Sequence, residues 1–462
     1  MAPSFGRPLG LTFAGKPIFD PYPTTLRLVL GATGAAKTTS VVVPTLQALI
    51  GDLGTALVVA DVKEGEIAAQ IAPVAEAHGR PFAICDDFGV LGPHPARAHL
   101  NPFGAMVETA QSQPQDLVFA ADIAMHALIP EPEEGDAKNR YFRQTPRSEI
   151  ECAAGILLAR DPHLTTPGAV SRLMGDPELW TTYRQLAAEE GAPALRAKAQ
   201  QSLAMEQHDP EHYSMHHREA LTALRIYEPG TALHNAGRVA TLTHRQVIEG
   251  GYLFCIVLPQ LYAQQAAAHL SLHLQGLMEA TLRAGPHRAL FLIDEMCNAP
   301  LKEIVARVTI QRSYGAAALY IAQSRSDIVA KYGKRMAATL EENCPIQQYL
   351  SFTRFEEAEQ VSRAMGEVRS VSQNLTIDSA RAAFGDAYNL GKERMFTPEE
   401  LMALPRDEQI IHIQGLGYLH CRKLFQNQIA PTCYDLGPNP LEGAALPPDP
   451  KVWLQAKPRG RR

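Results

Sequence analysis

Gly31, Lys37 and Thr38 stand at the spacing of the phosphate-binding pattern GxxxxGK[ST], within Leu28-Val-Leu-Gly-Ala-Thr-Gly-Ala-Ala-Lys-Thr-Thr-Ser40. A loop of this kind turns backbone N–H groups onto a phosphate at a helix N-terminus, where the dipole already favours negative charge. Lys37 is expected to reach the β- and γ-phosphates of ATP, and the Thr38 hydroxyl to ligate Mg²⁺. The expected nucleotide contacts are therefore Gly31, Ala32, Thr33, Gly34, Ala35, Ala36, Lys37, Thr38 and Thr39. One position departs from the pattern: Ala36 stands where a glycine normally precedes the lysine. If that position takes a positive φ, alanine costs roughly 1–2 kcal/mol relative to glycine. The competent population would fall several-fold to about thirtyfold, which weakens a site without abolishing it. A chance glycine-rich turn is the competing reading, and the intact Lys-Thr pair between an apolar run and a helix start argues against it.

A second set of chemically capable residues lies far downstream. Ala289-Leu-Phe-Leu-Ile-Asp294-Glu295 is a buried apolar run ending in two acids, the form of a Walker B strand. Asp294 would hold the Mg²⁺ shell, and Glu295 would orient or deprotonate the attacking water. A core strand that happens to end in two acids is the bland alternative, and co-occurrence with the Lys37 loop weighs against it. Ala316-Ala-Ala-Leu-Tyr-Ile-Ala322 is another such run, ending at Gln323. A polar residue at that strand tip can sense the γ-phosphate or its water. Arg312 is a candidate arginine finger acting in trans if subunits form a ring. A surface arginine on an amphipathic helix explains it equally well.

These residues need elements to hold them. Leu28 to Leu30 reads as a buried strand, and Thr39 to Leu49 as a helix that Pro44 can kink. Thr55 to Asp61 is a second strand, and Lys63-Glu-Gly-Glu66 opens a helix running to about Glu76. Pro81 to Asp86 is a third strand, followed by a loop through Asn101-Pro-Phe-Gly104. Such alternation predicts an α/β fold with a parallel sheet covered on both faces. Between about residues 105 and 238 helical periodicity takes over, at Ser148–Ala159, Pro177–Glu189, Pro193–Met205 and Tyr213–Tyr227. Two of these begin with proline, which suits a first helical position. The segment reads as an inserted all-α domain. Its histidines, His208, His212, His216 and His217, read as a solvated helix face, because no ligand set completes a metal site. Alternation resumes with the strand Gly251–Leu258, a helix from about Tyr262 to Arg283, the Asp294 strand, a helix over Leu301–Tyr314 and the Gln323 strand.

The expected organisation is thus residues 1–104 and 239–435 as two parts of one nucleotide-binding domain, 105–238 as the insertion, and 436–462 as a C-terminal tail. Residues 1–25, rich in Gly and Pro, read as an extended lead-in. At 462 residues the chain can bury two or three cores. A formal charge of −6 gives no bulk attraction to nucleic acid, so any DNA contact must use a local basic surface. Arg325, Lys331, Lys334 and Arg335 are candidates for such a surface in a pore. Seven scattered cysteines without a CxxC pair suit a reducing compartment better than a disulfide framework or zinc site. Neither a signal peptide nor the roughly 20 apolar residues of a membrane span is evident. Only Lys457-Pro-Arg-Gly-Arg-Arg462 is strongly basic, as solubilising tails are.

The order of motifs resembles that of the TraG/TraD-type coupling ATPases of type IV secretion systems, a branch of the FtsK/RecA-like motors. It is carried by Gly31–Thr39, Asp61-Val-Lys-Glu-Gly-Glu66, Leu100-Asn-Pro-Phe103, Phe291-Leu-Ile-Asp-Glu295, Ile321-Ala-Gln-Ser-Arg-Ser326, Tyr332-Gly333, Asn343-Cys-Pro345 and Phe396-Thr-Pro-Glu-Glu-Leu-Met-Ala-Leu-Pro405. The resemblance implies a RecA-like P-loop NTPase with an inserted all-α domain that recruits substrate. It implies a hexameric ATPase using ATP and Mg²⁺, which feeds relaxase-bound single-stranded DNA or effector proteins to a secretion channel. Lys37, Thr38, Asp294, Glu295 and Gln323 match the family's functional positions, Arg312 less securely.

Three departures qualify it: Ala36, one extra residue in Asp61-Val-Lys-Glu-Gly-Glu66, and no N-terminal transmembrane hairpin. The expectation is a cytoplasmic protein, peripheral at the inner membrane through partners. Two other readings stay open: a recruitment platform with weak or no ATPase activity, and a cytosolic DNA translocase outside secretion. A small-molecule kinase is disfavoured, because roughly 250 residues separate Lys37 from Asp294, more than a compact kinase core needs.

Overall fold

The apolar runs assemble side by side. In the computed structural model, residues 6–22, 24–131, 137–285, 288–299, 301, 305, 315–378 and 383–454 are described. Strands β1 (Pro8–Leu11), β2 (Pro17–Phe19), β3 (Leu26–Leu30), β4 (Thr55–Asp61), β5 (Phe82–Cys85), β6 (Leu253–Val257), β7 (Arg288–Ile293), β8 (Ala316–Ala322) and β9 (Ile346–Tyr349) come first in the chain. A long hairpin of β10 (Glu367–Asp378) and β11 (Ala383–Arg394) follows, then β12 (Glu408–Ile413), β13 (Gly417–Arg422), β14 (Ile429–Ala430) and β15 (Val452–Trp453). Among the described residues, eleven strands form one sheet in the order β2-β1-β13-β12-β9-β3-β8-β7-β4-β6-β5. The run from β9 to β5 is parallel throughout, and the run from β2 to β9 is antiparallel.

β4, β6, β7 and β8 are buried on both faces, which is why they read as apolar runs, whereas β3 carries the buried Arg27 and β9 two glutamines. Leu28, Leu30, Val58, Phe254, Phe291 and Tyr320 face one core, shared with Leu270, Leu274 and Leu277 of the helix Ala267–Arg283. Val29, Leu57, Val59, Leu292 and Ile321 face the other, packed against helices Val43–Leu49 and Glu66–Ala77. Pro44 does perturb its helix. The Val43 N–H donates to the Thr38 carbonyl in a π-turn over Thr38–Val42, and this wider turn admits a residue with no N–H of its own.

Among the described residues, seven helices between Gly104 and Leu224 pack around a separate core that includes Met106, Ile150, Ile156, Trp180 and Tyr227. Four of them start at proline, and Thr166, Asp176 and Asp209 cap three of these with side-chain oxygens. His216 is buried, with its ring 5.3 Å from that of Tyr141, and His217 stacks at 5.7 Å on Tyr213. The solvated-face reading therefore fails for these two: Tyr141 packs on His216, and Trp180, stacked at 6.2 Å, covers the half-buried His217, each from another helix.

Other expectations also change. Residues 1–25 are not merely a lead-in, because β1 and β2 complete the sheet edge beside β13. The long helix begins at Ala267 rather than Tyr262, and a 3₁₀ turn over Gln260–Tyr262 comes first. Residues beyond 436 pack back: the Asn439 amide donates to Glu66 Oε1 at 2.8 Å, and β15 pairs with β14. Arg312, most of the expected helix around it and the basic 457–462 stretch lie outside the described residues. No helix of the described residues is long and apolar enough to cross a membrane.

Candidate functional site

Four parallel strands aim their C-terminal ends at one place. β3 does not neighbour β7: β8 lies between them, pairing with both, and β4 flanks β7 on its other side. The tips of β3, β8, β7 and β4 therefore deliver Gly31, Gln323, Asp294 and Asp61 in a row. The turn after β7 is tied to β8 by the Met296 N–H donating to the Ile321 carbonyl at 2.9 Å. That bond holds Glu295 at φ 48°, an uncommon value for a non-glycine residue, of the kind that concentrates at functional sites.

Lys37 leaves the phosphate loop at the head of the helix, and its Nζ donates to the carbonyls of Gly31 at 2.9 Å and Ala32 at 3.3 Å. The same ammonium lies 3.2 Å from Glu295 Oε1. Lys63, from the turn after β4, reaches Glu295 Oε1 at 2.9 Å and Asp294 Oδ2 at 3.7 Å. Gln323 Nε2 donates to Glu295 Oε2 at 3.3 Å. Two buried acids thus face two lysines and one amide.

The electrostatics follow from that arrangement. Burial pushes Glu295 up, but Lys63, Lys37 and the Gln323 hydrogen bond outweigh it and hold the carboxyl below its ordinary range. Asp294 is raised by burial and by the Glu295 charge, with Lys63 and Lys37 only partly compensating. Lys63 loses some basicity to burial and regains more from Asp294 and Glu295, so it stays charged. Asp61 is also raised, to about 7, by burial, although its Oδ2 accepts from the Ile67 and Ala68 N–H groups and caps the helix Glu66–Ala77.

The residues fit a Mg²⁺-nucleotide. Asp294 Oδ2 is buried with no hydrogen-bond donor among the described residues, an orphan that hydrated Mg²⁺ would satisfy. Thr38, buried at the head of the helix, is the other residue that would hold the ion. Gly34 takes φ 81°, and nothing lies within 4 Å of where its Cβ would sit, so a phosphate can approach the bare backbone. Ala32 and Ala35 are less open than their neighbours. The Ala32 N–H donates to Ser351 Oγ at 3.0 Å and the Ala35 N–H to the Ala32 carbonyl at 3.0 Å. The Thr39 and Ser40 hydroxyls both turn back to the Ala36 carbonyl, at 3.4 and 2.7 Å.

Ala36 itself sits at φ 65°, so the conditional cost of roughly 1–2 kcal/mol applies. Two residues outside the expected set also contribute. Lys63 had a signal in the Asp61-Val-Lys63 strand end. Lys423 had none: its buried Nζ donates to the Ala35 carbonyl at 3.2 Å and the Arg406 carbonyl at 2.7 Å, bracing the loop from behind. Burial lowers Lys423 to about 8, against the pull of Asp407. Of the basic candidates, Arg325 is engaged by Glu341 at 2.6 Å, while Lys331, Lys334 and Arg335 are exposed on two adjoining helices.

Residues 288–406 match the family described as the TraM recognition site of TraD and TraG. In fold, the chain is similar to the bacterial conjugative coupling protein TrwBdeltaN70 in its unbound form. The TM-score is 0.64 at 17% identity, over 92% of this chain and 90% of that one. It is similar also to TrwB in complex with ADP and Mg²⁺, with TM-score 0.62 and 15% identity over 90% and 88% of the two chains. VirB4 of Thermoanaerobacter pseudethanolicus shares the fold at TM-score 0.53 and 14% identity, over 92% of this chain and 98% of that one. No curated protein matches the chain in sequence. The α/β architecture expected from the sequence is thus the RecA-like P-loop fold of these structures.

Proposed function

Starting from a chain of the TraG/TraD type over residues 288–406, on the fold of a conjugative coupling protein, we propose that it is an ATP-hydrolysing coupling protein. It would recruit relaxase-bound single-stranded DNA or effector proteins and deliver them to a type IV secretion channel. The observation that carries this reading is the meeting of Lys37, Lys63, Asp294, Glu295 and Gln323 at adjoining strand tips. In this scheme Lys37 and Lys63 supply positive charge to the phosphates, and Asp294 with Thr38 holds the ion. Mg²⁺, when bound, would neutralise charge developing on the phosphate oxygens. Glu295, kept ionised by its lysines, accepts a hydrogen bond and then the proton of the attacking water. Gln323 fixes the Glu295 carboxylate. Arg312 is proposed to complete the site of a neighbouring subunit in a homo-hexamer. The segment that matches the TraM recognition site is proposed as a docking surface for relaxosome or channel components. Through such partners the protein would sit in the cytoplasm against the inner membrane.

The test is ATPase activity with and without single-stranded DNA at two salt concentrations. Hydrolysis is expected without DNA and is expected to rise with it. The stimulation should shrink at the higher salt, because phosphate contacts release counterions. Absence of Mg²⁺-dependent hydrolysis under every condition would remove the motor. Hydrolysis that DNA does not change at either salt concentration would argue for protein cargo.

The conformation of Ala36 keeps one second reading in view, a nucleotide-binding platform with little turnover. Ala36→Gly separates the two. Lys423 and Lys37 already hold the loop in its working shape, so turnover is expected to rise no more than several-fold. Thermal stability should rise by about 1 kcal/mol as the strain is relieved. A gain of two orders of magnitude in ATP turnover would show that the natural loop is crippled and would favour the platform.

A further inference from the structure

Three donors of different chemistry meet at the seam between the helical insertion and the sheet edge. Cys85 ends the edge strand β5, Asp87 follows in its loop, and His273 lies on the helix Ala267–Arg283, which packs against both cores. Their ligand atoms all lie within 4.8 Å of one another. Cys85 Sγ is 3.7 Å from Asp87 Oδ2 and 4.0 Å from His273 Nε2. A tetrahedral ion with ligand bonds of about 2.0–2.3 Å holds its donors roughly 3.3–3.8 Å apart, so the Cys85 pairs need to close by at most a few tenths of an ångström and the Asp87–His273 pair by up to about 1.5 Å.

We propose that Cys85, Asp87 and His273 bind a zinc-type divalent cation, which fastens the helix Ala267–Arg283, on which the helical insertion packs, to the edge strand of the nucleotide-binding sheet. Charge supports that class of ion. Burial and Asp87 push the free Cys85 thiol up, so the ion must displace its proton on binding. The resulting thiolate, carboxylate and neutral imidazole carry two negative charges, matching a divalent cation in a buried place, and mixed S, N and O donors select zinc rather than magnesium or calcium. Supporting residues are already in position. His244 Nε2 lies 3.2 Å from His273 Nδ1 and can accept its proton, leaving His273 Nε2 as the free lone pair. Burial lowers both rings, so they are neutral and able to ligate.

Asp87 is oriented from two further sides, by His269 Nε2 at 3.3 Å and by His99 Nδ1 at 3.3 Å. His269 in turn meets the hydroxyl of Tyr227 at 3.1 Å, from the end of the helical insertion. Burial pushes Asp87 up, and the hydrogen bonds from His269 and His99 more than reverse it, so it is ionised. His99 is partly exposed and gives the ion a route from solvent. Three protein ligands leave one tetrahedral position for water.

The test uses the full chain without a polyhistidine tag. Dialysed wild-type protein is expected to retain about one equivalent of zinc, and zinc should raise its melting temperature. Replacement by Co²⁺ should give a near-ultraviolet thiolate-to-cobalt charge-transfer band with strong visible absorption. The nucleotide site has no sulfur or imidazole donor among its named residues, so this signature separates the two sites, and Cys85→Ser separates the seam from the other six cysteines. Cys85→Ser should lose the charge-transfer band, and His273→Gln should lose most of the bound metal. Wild-type protein that binds neither zinc nor cobalt near stoichiometry would overturn the proposal, a result that requires no variant to fold. So would a cobalt–thiolate band that survives in folded Cys85→Ser. Either outcome leaves the ATPase reading untouched, since that reading is tested by hydrolysis.

Discussion

Lys37→Ala is expected to lower ATP hydrolysis by about 10²–10³-fold, the usual loss when one preorganised charge-stabilising donor is removed. Nucleotide affinity should fall as well, because the ammonium is the loop's own side-chain cation. The fold should survive. Glu295 keeps Lys63 at 2.9 Å, so the substitution leaves no acid in this pair without a cation. The loop keeps the brace from Lys423 to the Ala35 carbonyl. Circular dichroism and a thermal melt check that part, and a steady-state ATPase assay checks the rest. Equal rates in wild type and the folded variant would mean that the convergence of Lys37 with the Asp294 and Glu295 strand end does no chemistry.

Glu295→Gln is the second large effect and separates binding from turnover. The amide keeps the size of the carboxylate and can keep a hydrogen bond to Gln323, but it cannot take a proton. Hydrolysis should drop by about 10²–10⁴-fold, the range of a lost general base. ATP binding, read by equilibrium titration with Mg²⁺, should stay within a few-fold of wild type. The direction of the Glu295 shift adds a check on pH. Its carboxyl is held below the ordinary glutamate range by Lys63 and Lys37, so the acid limb of the wild-type rate should lie below that range. The sign for stability agrees. A depressed folded value stabilises the protein above the unfolded glutamate value, and that contribution is lost as pH falls through the folded one. Glu295→Gln should remove that part of the acid sensitivity.

The two variants differ in what they leave behind. Lys37→Ala loses affinity and turnover together, whereas Glu295→Gln should trap the nucleotide. A protein in which both lose binding equally would point to a collapsed site rather than to two distinct roles. The strained backbone at Glu295 makes that control worthwhile, since the position depends on the Met296 bond to β8.

Much of this was legible in the residues alone. Buried parallel strands exclude most polar side chains, so Leu28–Leu30 of β3 and β4, β6, β7 and β8 announced themselves as apolar runs, while Arg27 of β3 is buried only because the Pro8 carbonyl and Gln348 accept its hydrogen bonds. Their chemistry sits at the tips, where Lys37, Asp294, Glu295 and Gln323 interrupt the apolar pattern. Proline at helix starts marked the insertion, because its missing N–H costs nothing there. What the sequence by itself determined is therefore the alternation, the loop and the acids, all local in the chain or set by burial.

The rest depends on partners distant in sequence, which no local pattern encodes. β1 and β2 read as a lead-in because their neighbour β13 lies about four hundred residues on, and edge strands carry a weak apolar signal. The β10–β11 hairpin went unforeseen; it pairs residue for residue only with itself. Lys423 braces the phosphate loop from the far end of the chain, and His216 turned inward only because Tyr141 was waiting on another helix. Sheet order was hidden too: no local pattern sets β8 between β3 and β7. Only tertiary structure decided that Lys63 shares Glu295 with Lys37, and that Cys85, Asp87 and His273 meet, because side-chain convergence is set by strand order and helix packing rather than by spacing along the chain.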